Sequence, residues 1–171
     1  MRQNTCAIIA CSPIGFPWGY DEEDEGCAAL KLLLLNRITL LRAEGVIDFA
    51  VVMDSGVGLY AAEMINSLRE TDPDLNLTCV VPYEEQSTKW TPELRDRYFS
   101  EQVKCSDVQF ASHEKTAASE AIALLNAVDK AEYVIAVKSE VDYLIPVALH
   151  YAERLGRTIF AVDAERMQYY A

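Results

Sequence analysis

Two stretches of this 171-residue chain gather residue types that can do chemistry. Gly56-Val57-Gly58-Leu59-Tyr60-Ala61 has the spacing G-x-G-x-x-A, and it follows an apolar run and leads into a helical pattern. In that setting glycines let a backbone approach a phosphate held at a helix N-terminus. The motif follows the second apolar run rather than the first, however, and the acid expected about 20 residues on falls at best on Glu84. A tight strand-to-helix turn also uses two glycines without any ligand, so both readings stand. The second stretch, Pro82-Tyr83-Glu84-Glu85-Gln86-Ser87-Thr88-Lys89-Trp90, combines carboxylates, an amide, a cation and two aromatics. Such a mixture recognises a base or sugar by stacking and hydrogen bonds, and a buried Glu84 or Glu85 could serve as a general acid or base. The same aromatics could equally staple a loop to the body.

Other chemistry is poorly supplied. There is no G-x-S-x-G elbow, no P-loop and no plausible Cys/His pair, so an enzyme built from this inventory would work through carboxylates. No catalytic residue is assigned and the expectation leans away from an enzyme. Cys6, Cys11, Cys27, Cys79 and Cys105 are an odd number at scattered spacings, and the two histidines, His113 and His150, fit no metal-ligand pattern. They read as reduced, mostly buried thiols, with no metal and no cofactor implied. The run Asp21 to Glu25 reads as a helix entrance whose carboxylates complement the macrodipole. Five consecutive acids cannot converge on one cation.

The elements that must position these residues alternate along the chain. Strands are expected at Cys6–Cys11, Asp48–Met53, Leu77–Val81, Asp107–Ala111, Tyr133–Val137 and Thr158–Val162. Helices are expected at Glu25–Glu44, where Cys27, Leu30, Leu34, Ile38 and Leu41 recur at helical steps, then at Leu59–Glu70, from Thr91-Pro92-Glu93 to Lys104, and at Thr116–Asp129. A last helix is placed from Pro146 to just before Gly156, because starting it at Ser139 would put the proline inside at a cost of roughly 3 kcal/mol.

Alternation with continuously apolar strands predicts one domain over residues 1–171: an α/β, Rossmann-like, doubly wound, mainly parallel sheet with helices on both faces. The expected strand order is 3-2-1-4-5-6. Ligands of such sheets sit outside the carboxyl ends of the strands, which directs attention to residues 12–20, 54–58, 82–90, 112–115 and 138–145. Composition narrows the partners. Twenty-seven acids against 15 bases give a net charge of −12, which disfavours nucleic acid. No apolar run approaches the roughly 18 residues of a membrane span, and no cleavage signature is evident, so a cytoplasmic location is expected.

Taken together, these residues resemble the YpsA-like branch of the SLOG superfamily, Rossmann-like domains of bacterial type related to the DNA-processing protein A core and to the lysine decarboxylase-like phosphoribohydrolases. The resemblance rests on Pro17-Trp18-Gly19-Tyr20-Asp21-Glu22-Glu23-Asp24, on Gly56 with Tyr60-Ala61-Ala62-Glu63, on Pro82-Tyr83-Glu84-Glu85-Gln86 with Lys89-Trp90, and on Tyr151-Ala152 with Leu155-Gly156-Arg157. It implies a nucleotide-derived ligand across the strand ends, yet the ligand-facing motifs depart from the family pattern. The family's T-G-H-R stands here as Ile9-Ala10-Cys11-Ser12, its G-M-A-x-G-V-D as Val52 to Gly58, its Arg-Asn pair near Leu124-Leu125, and its G-G-T as Tyr143-Leu144-Ile145. Bulk at that last helix start, with Pro146 removing a donor, blocks a phosphate.

The expectation is a non-catalytic SLOG-type domain whose ligand-binding residues are Ser12, Trp18, Tyr20, Ser55, Gly56, Gly58, Tyr83, Glu84, Gln86, Lys89 and Trp90. Trp18, Tyr20, Tyr83 and Trp90 would stack or form walls, Ser55, Gly56 and Gly58 would offer backbone contacts, and Glu84, Gln86 and Lys89 polar recognition. The ligand should carry little negative charge. The alternatives are a protein-interaction or homodimerisation module with a decayed pocket, motivated by Leu124, Leu125, Leu144 and Ile145, and a nucleotide phosphoribohydrolase.

Overall fold

A computed structural model of the chain describes residues 4–170. Seven strands form one sheet: β1 (Thr5–Ala10), β2 (Asp48–Val52), β3 (Asn76–Tyr83), β4 (Asp107–Ser112), β5 (Tyr133–Lys138), β6 (Thr158–Asp163) and β7 (Gln168–Tyr170). Five helices alternate with the first six: α1 (Glu25–Ala43), α2 (Val57–Arg69), α3 (Pro92–Lys104), α4 (Ser119–Lys130) and α5 (Leu144–Arg154). The sheet order is β4-β3-β2-β1-β5-β6-β7, parallel throughout except for β7, which runs antiparallel on β6.

The doubly wound α/β class is as expected, but the order is not. The fourth strand lies outside β3, and the fifth takes the place beside β1. The reason is polarity. Asp107, Gln109 and Phe110 of β4 are exposed, as an edge strand tolerates, whereas Val134 to Val137 of β5 are fully buried and need a neighbour on each side. Three successive crossovers in one direction put α1, α2 and α3 on one face, and the return crossover puts α4 and α5 on the other. The chain reverses between β1 and β5, so the crevice of the fold opens there, at the carboxyl ends of the strands.

Local chemistry sets the helix ends. Asp24 caps α1, accepting from the Gly26 amide at 2.7 Å, and Gly45 at φ +106° stops the helix. Cys27, Leu30, Leu34, Ile38 and Leu41 form its buried stripe. Two helix starts differ from expectation. α4 begins at Ser119 rather than Thr116, and α5 begins at Leu144, ahead of Pro146. Pro146 then sits in the first turn, where its missing N–H would have had no helical partner in any case, so the penalty that argued for a later start does not arise.

The acidic segment after the first loop is partly tied down. Arg97 of α3 bridges Glu22 and Glu63, each at 2.6 Å, and Lys31 reaches Glu22 at 2.8 Å. These pairs hold the entrance of α1 against α2 and α3. Hydrogen bonds from Arg97 keep the Glu22 carboxyl down at about 2. Among the described residues no helix is long and apolar enough to cross a membrane.

Candidate cleft at the carboxyl edge of the sheet

A cleft of about 360 Å³ opens at the β1/β5 switch point, between the loops that follow β1, β2, β3 and β5. Its floor is built by Asp54, which ends the apolar run of β2. Asp54 Oδ1 accepts from the Gly56 amide at 2.7 Å and the Gly58 amide at 2.9 Å. Those are the donors that a bound phosphate would take at the start of α2. The protein's own carboxylate therefore occupies the anion position of its glycine motif. The glycines are also needed for packing. A Cβ on Gly58 would collide with the Val52 carbonyl oxygen and with Met53, and one on Gly56 would run into the Pro13 ring.

The start of α5, which also faces the cleft, is closed in the same way. Asp142 Oδ1 accepts from the Leu144 amide at 3.2 Å, and Oδ2 from the Ile145 amide at 3.1 Å. Glu120, at the first turn of α4, adds a third carboxylate to the lining, and no lysine, arginine or histidine is among the lining residues. Desolvation of the Asp54 carboxyl pushes its pKa up to about 7, against the two amide hydrogen bonds, and Glu120 adds to the rise. Near neutrality Asp54 is thus partly protonated. In that state one oxygen serves the two amides and the O–H can donate to a ligand acceptor. Burial likewise pushes the Cys11 thiol, on the same floor, up to about 12, so it is not a ready nucleophile.

The expected ligand-binding residues divide into two groups. Ser12, Tyr20, Ser55, Tyr83, Gln86 and Trp90 line the cleft. Tyr20 meets the Ser55 hydroxyl at 3.0 Å and ties the first loop to the β2–α2 turn. Gln86 donates to the Met53 carbonyl at 2.7 Å and accepts from the Tyr98 hydroxyl at 3.2 Å, so much of its amide is spent on holding the loop. Trp90 packs edge-on against Tyr98. Tyr83 stands with the Lys115 ammonium 5.8 Å from its ring centre.

Gly56 and Gly58 lie under the floor, with their amides already taken. Trp18 is not a wall. It is buried, stacked on Phe16 at 5.0 Å and seated on Gly26. Glu84 turns outward to His113 at 2.9 Å, and exposed Lys89 is not a lining residue. Leu124, Leu144 and Ile145 also line the cleft, as apolar floor.

Asp54, Glu120 and Asp142 were not among the residues expected to bind a ligand. For Asp54 a signal was present: a lone acid closing the apolar run VVM immediately before Ser-Gly-x-Gly. A second groove of about 480 Å³ lies on the sheet face toward the amino ends of the strands, lined by Asp48, Thr78, Phe110 and Lys130 among others. The convergent loops do not reach it.

The fold and the cleft define a Rossmann-like domain with its crevice at the first topological switch and the starts of α2 and α5 capped there by carboxylates. The family model for YpsA, described as the YspA SLOG family, matches residues 16–167. This chain belongs to that family. Among curated relatives, it is similar to a UPF0398 protein of Bacillus licheniformis, 32% identical over 79 residues, which is 46% of this chain and 43% of that one. It is likewise similar to the UPF0398 protein YpsA of Bacillus subtilis, 28% identical over 79 residues, 46% of this chain and 44% of that one. A UPF0398 protein of Bacillus cereus is 24% identical over 123 residues, 71% of this chain and 67% of that one. The first two matches span less than half the length of the relatives concerned.

Proposed function

We propose that this domain is a binding module, acting in the cytoplasm, whose cleft takes a nucleoside-like small molecule carrying little or no negative charge. The reading rests on one observation: the N-termini of α2 and α5, two of the three helix starts at the cleft, already end on the protein's own carboxylates, Asp54 and Asp142. A phosphate entering there would find the Gly56, Gly58, Leu144 and Ile145 amides already taken. It would also meet the carboxylates of Asp142 and Glu120, like charge worth about 3 kcal/mol per unit-charge pair at 5 Å and an effective dielectric constant near 20. A helix N-terminus returns at most about 2 kcal/mol to an anion, so repulsion wins.

An uncharged base and sugar fit better. Tyr20, Tyr83 and Trp90 offer ring faces, while Ser12, Ser55, Glu120 and protonated Asp54 offer hydrogen bonds to exocyclic amines, hydroxyls and ring carbonyls. The test is a thermal-shift panel pairing each nucleoside with its 5′-monophosphate and diphosphate. Stabilisation by at least one nucleoside, falling stepwise with added phosphate, supports the reading. No stabilisation by any nucleoside, or stabilisation that grows with phosphate number, overturns it.

A further inference from the structure

The outer face of α1 lacks the charges that a solvent-facing helix normally carries. Between Gly26 and Glu44 its exposed positions are Ala28, Ala29, Leu32, Asn36, Thr39, Leu40 and Ala43, and none is ionisable. Leu32 and Leu40 are 59% and 53% exposed. The helix does contain cations, but all three are engaged to the side: Lys31 with Glu22, Arg37 over the Phe160 ring, and Arg42 with Asp72. A surface helix is expected to turn polar and charged residues outward, whereas this one, on a chain whose net charge is −12, presents a neutral stripe.

The stripe has an order that selects its partner. Ala29, Leu32, Asn36, Leu40 and Ala43 are spaced by three, four, four and three residues, so they read the same in both directions about Asn36. At 100° per residue they fall within about 80° of one another, on one line along the helix. A two-fold interface requires such self-complementarity: residue i meets j and j meets i. We propose that α1 is the surface through which two copies of this chain pair, packed antiparallel about an axis passing through Asn36. This inference concerns a surface separate from the cleft and does not rest on the binding reading.

In that arrangement Leu32 packs on the partner's Leu40, and Ala29 faces the partner's Ala43, whose small size lets the helices come to within 8–10 Å. Asn36 meets its own copy at the axis, where a single polar residue in an apolar seam fixes register. Antiparallel packing also sets each helix dipole against the opposite end of the other. The stripe carries no ionisable side chain. It is also the place where two strongly acidic chains can approach with least repulsion.

The stripe is about 21 Å long at 1.5 Å per residue, which gives a contact well below the roughly 800 Å² per partner of a standard interface. The dimer is therefore weak, with Kd on the order of 10–100 μM. Because the remaining surfaces repel, added salt tightens it.

Sedimentation velocity from 2 to 200 μM in 0.15 M and 0.5 M salt tests this on the intact chain. The expected result is a monomer–dimer equilibrium that shifts toward dimer in higher salt, is weakened at least tenfold by Leu32→Glu or Leu40→Glu, and is unchanged by Val103→Glu, which alters an exposed residue of α3. A second, independent readout is oxidative cross-linking. Asn36→Cys should form a disulfide-linked dimer, because it lies on the axis. Glu25→Cys, about three turns from the axis, should not exceed the wild-type background. Monomer at every concentration with no Asn36→Cys cross-link overturns the proposal. So does a dimer indifferent to Leu32→Glu and Leu40→Glu, or one that salt dissociates.

Discussion

Replacing Asp54 by asparagine separates the two things this residue does. The amide keeps an oxygen to accept from Gly56 and Gly58, so the cap on α2 survives, but the group no longer titrates. In the wild type the carboxyl is raised by burial from its ordinary value to about 7. The sign follows from linkage. Between the unfolded value near 4 and the folded value near 7, the native state holds a proton that the unfolded chain has released, so wild-type stability falls as pH rises through that window. Each unit is worth about 1.4 kcal/mol, which sets an upper bound of roughly 4 kcal/mol. Water reaching the cleft floor screens the charge and brings the expected loss to about 2 kcal/mol. The assay is urea denaturation of wild type and Asp54→Asn at intervals from pH 4 to 8.5, taking the difference at each pH so that every other titration cancels. The difference in favour of asparagine should grow with pH and level off above about 7. A difference independent of pH, or one that grows toward acid, would refute the account of Asp54 as a desolvated carboxyl.

Two further substitutions probe the frame around the cleft. Arg97→Met should destabilise the protein by about 1–2 kcal/mol at neutral pH, the pairs being only partly buried. Because Glu22 is held below its ordinary range, that contribution is present above about pH 4.5 and disappears as pH falls toward 2, so wild type and variant should converge in acid. Gly58→Ala should cost about 3 kcal/mol or prevent folding, since its methyl would strike backbone rather than a yielding side chain. Gly156→Ala, at φ +69° with open space around it, should cost only about 1 kcal/mol. Melting curves of the two alanine variants decide the comparison.

The fold was legible because its signals are local. Five apolar runs, the proline and hydroxyl at the start of α3, and the stripe Cys27-Leu30-Leu34-Ile38-Leu41 each specify an element by themselves. Strand order was less so, since placing β4 at an edge depends on weighing DVQFAS against YVIAV, two segments similar in length but not in polarity. The start of α5 was missed because proline was treated as a breaker, although in a first turn it removes no helical bond.

The site was half legible. Tyr20, Tyr83 and Trp90 do lie together at the carboxyl edge of the sheet, but the roles of Trp18, Glu84 and Lys89 depend on which way each side chain turns, and spacing does not carry that. The largest omission concerned charge. The glycine motif invited thought about a ligand's phosphate, whereas Asp54, one residue beyond the apolar run, supplies the anion from within. Many of the residues that carry the family resemblance prove to be structural. Asp24 caps a helix, Glu22 and Glu63 share Arg97, and Trp18 fills the core beside Gly26.

The most direct test of the central claim is a ¹H–¹⁵N titration of the labelled protein with a nucleoside and then with its 5′-diphosphate. The account predicts saturable shifts at Tyr20, Ser55 and Tyr83 with the nucleoside, and much weaker shifts with the diphosphate, at which the Gly56 and Gly58 amides stay unperturbed because Asp54 holds them. Tighter binding of the diphosphate, with large shifts at Gly56 and Gly58, would contradict it.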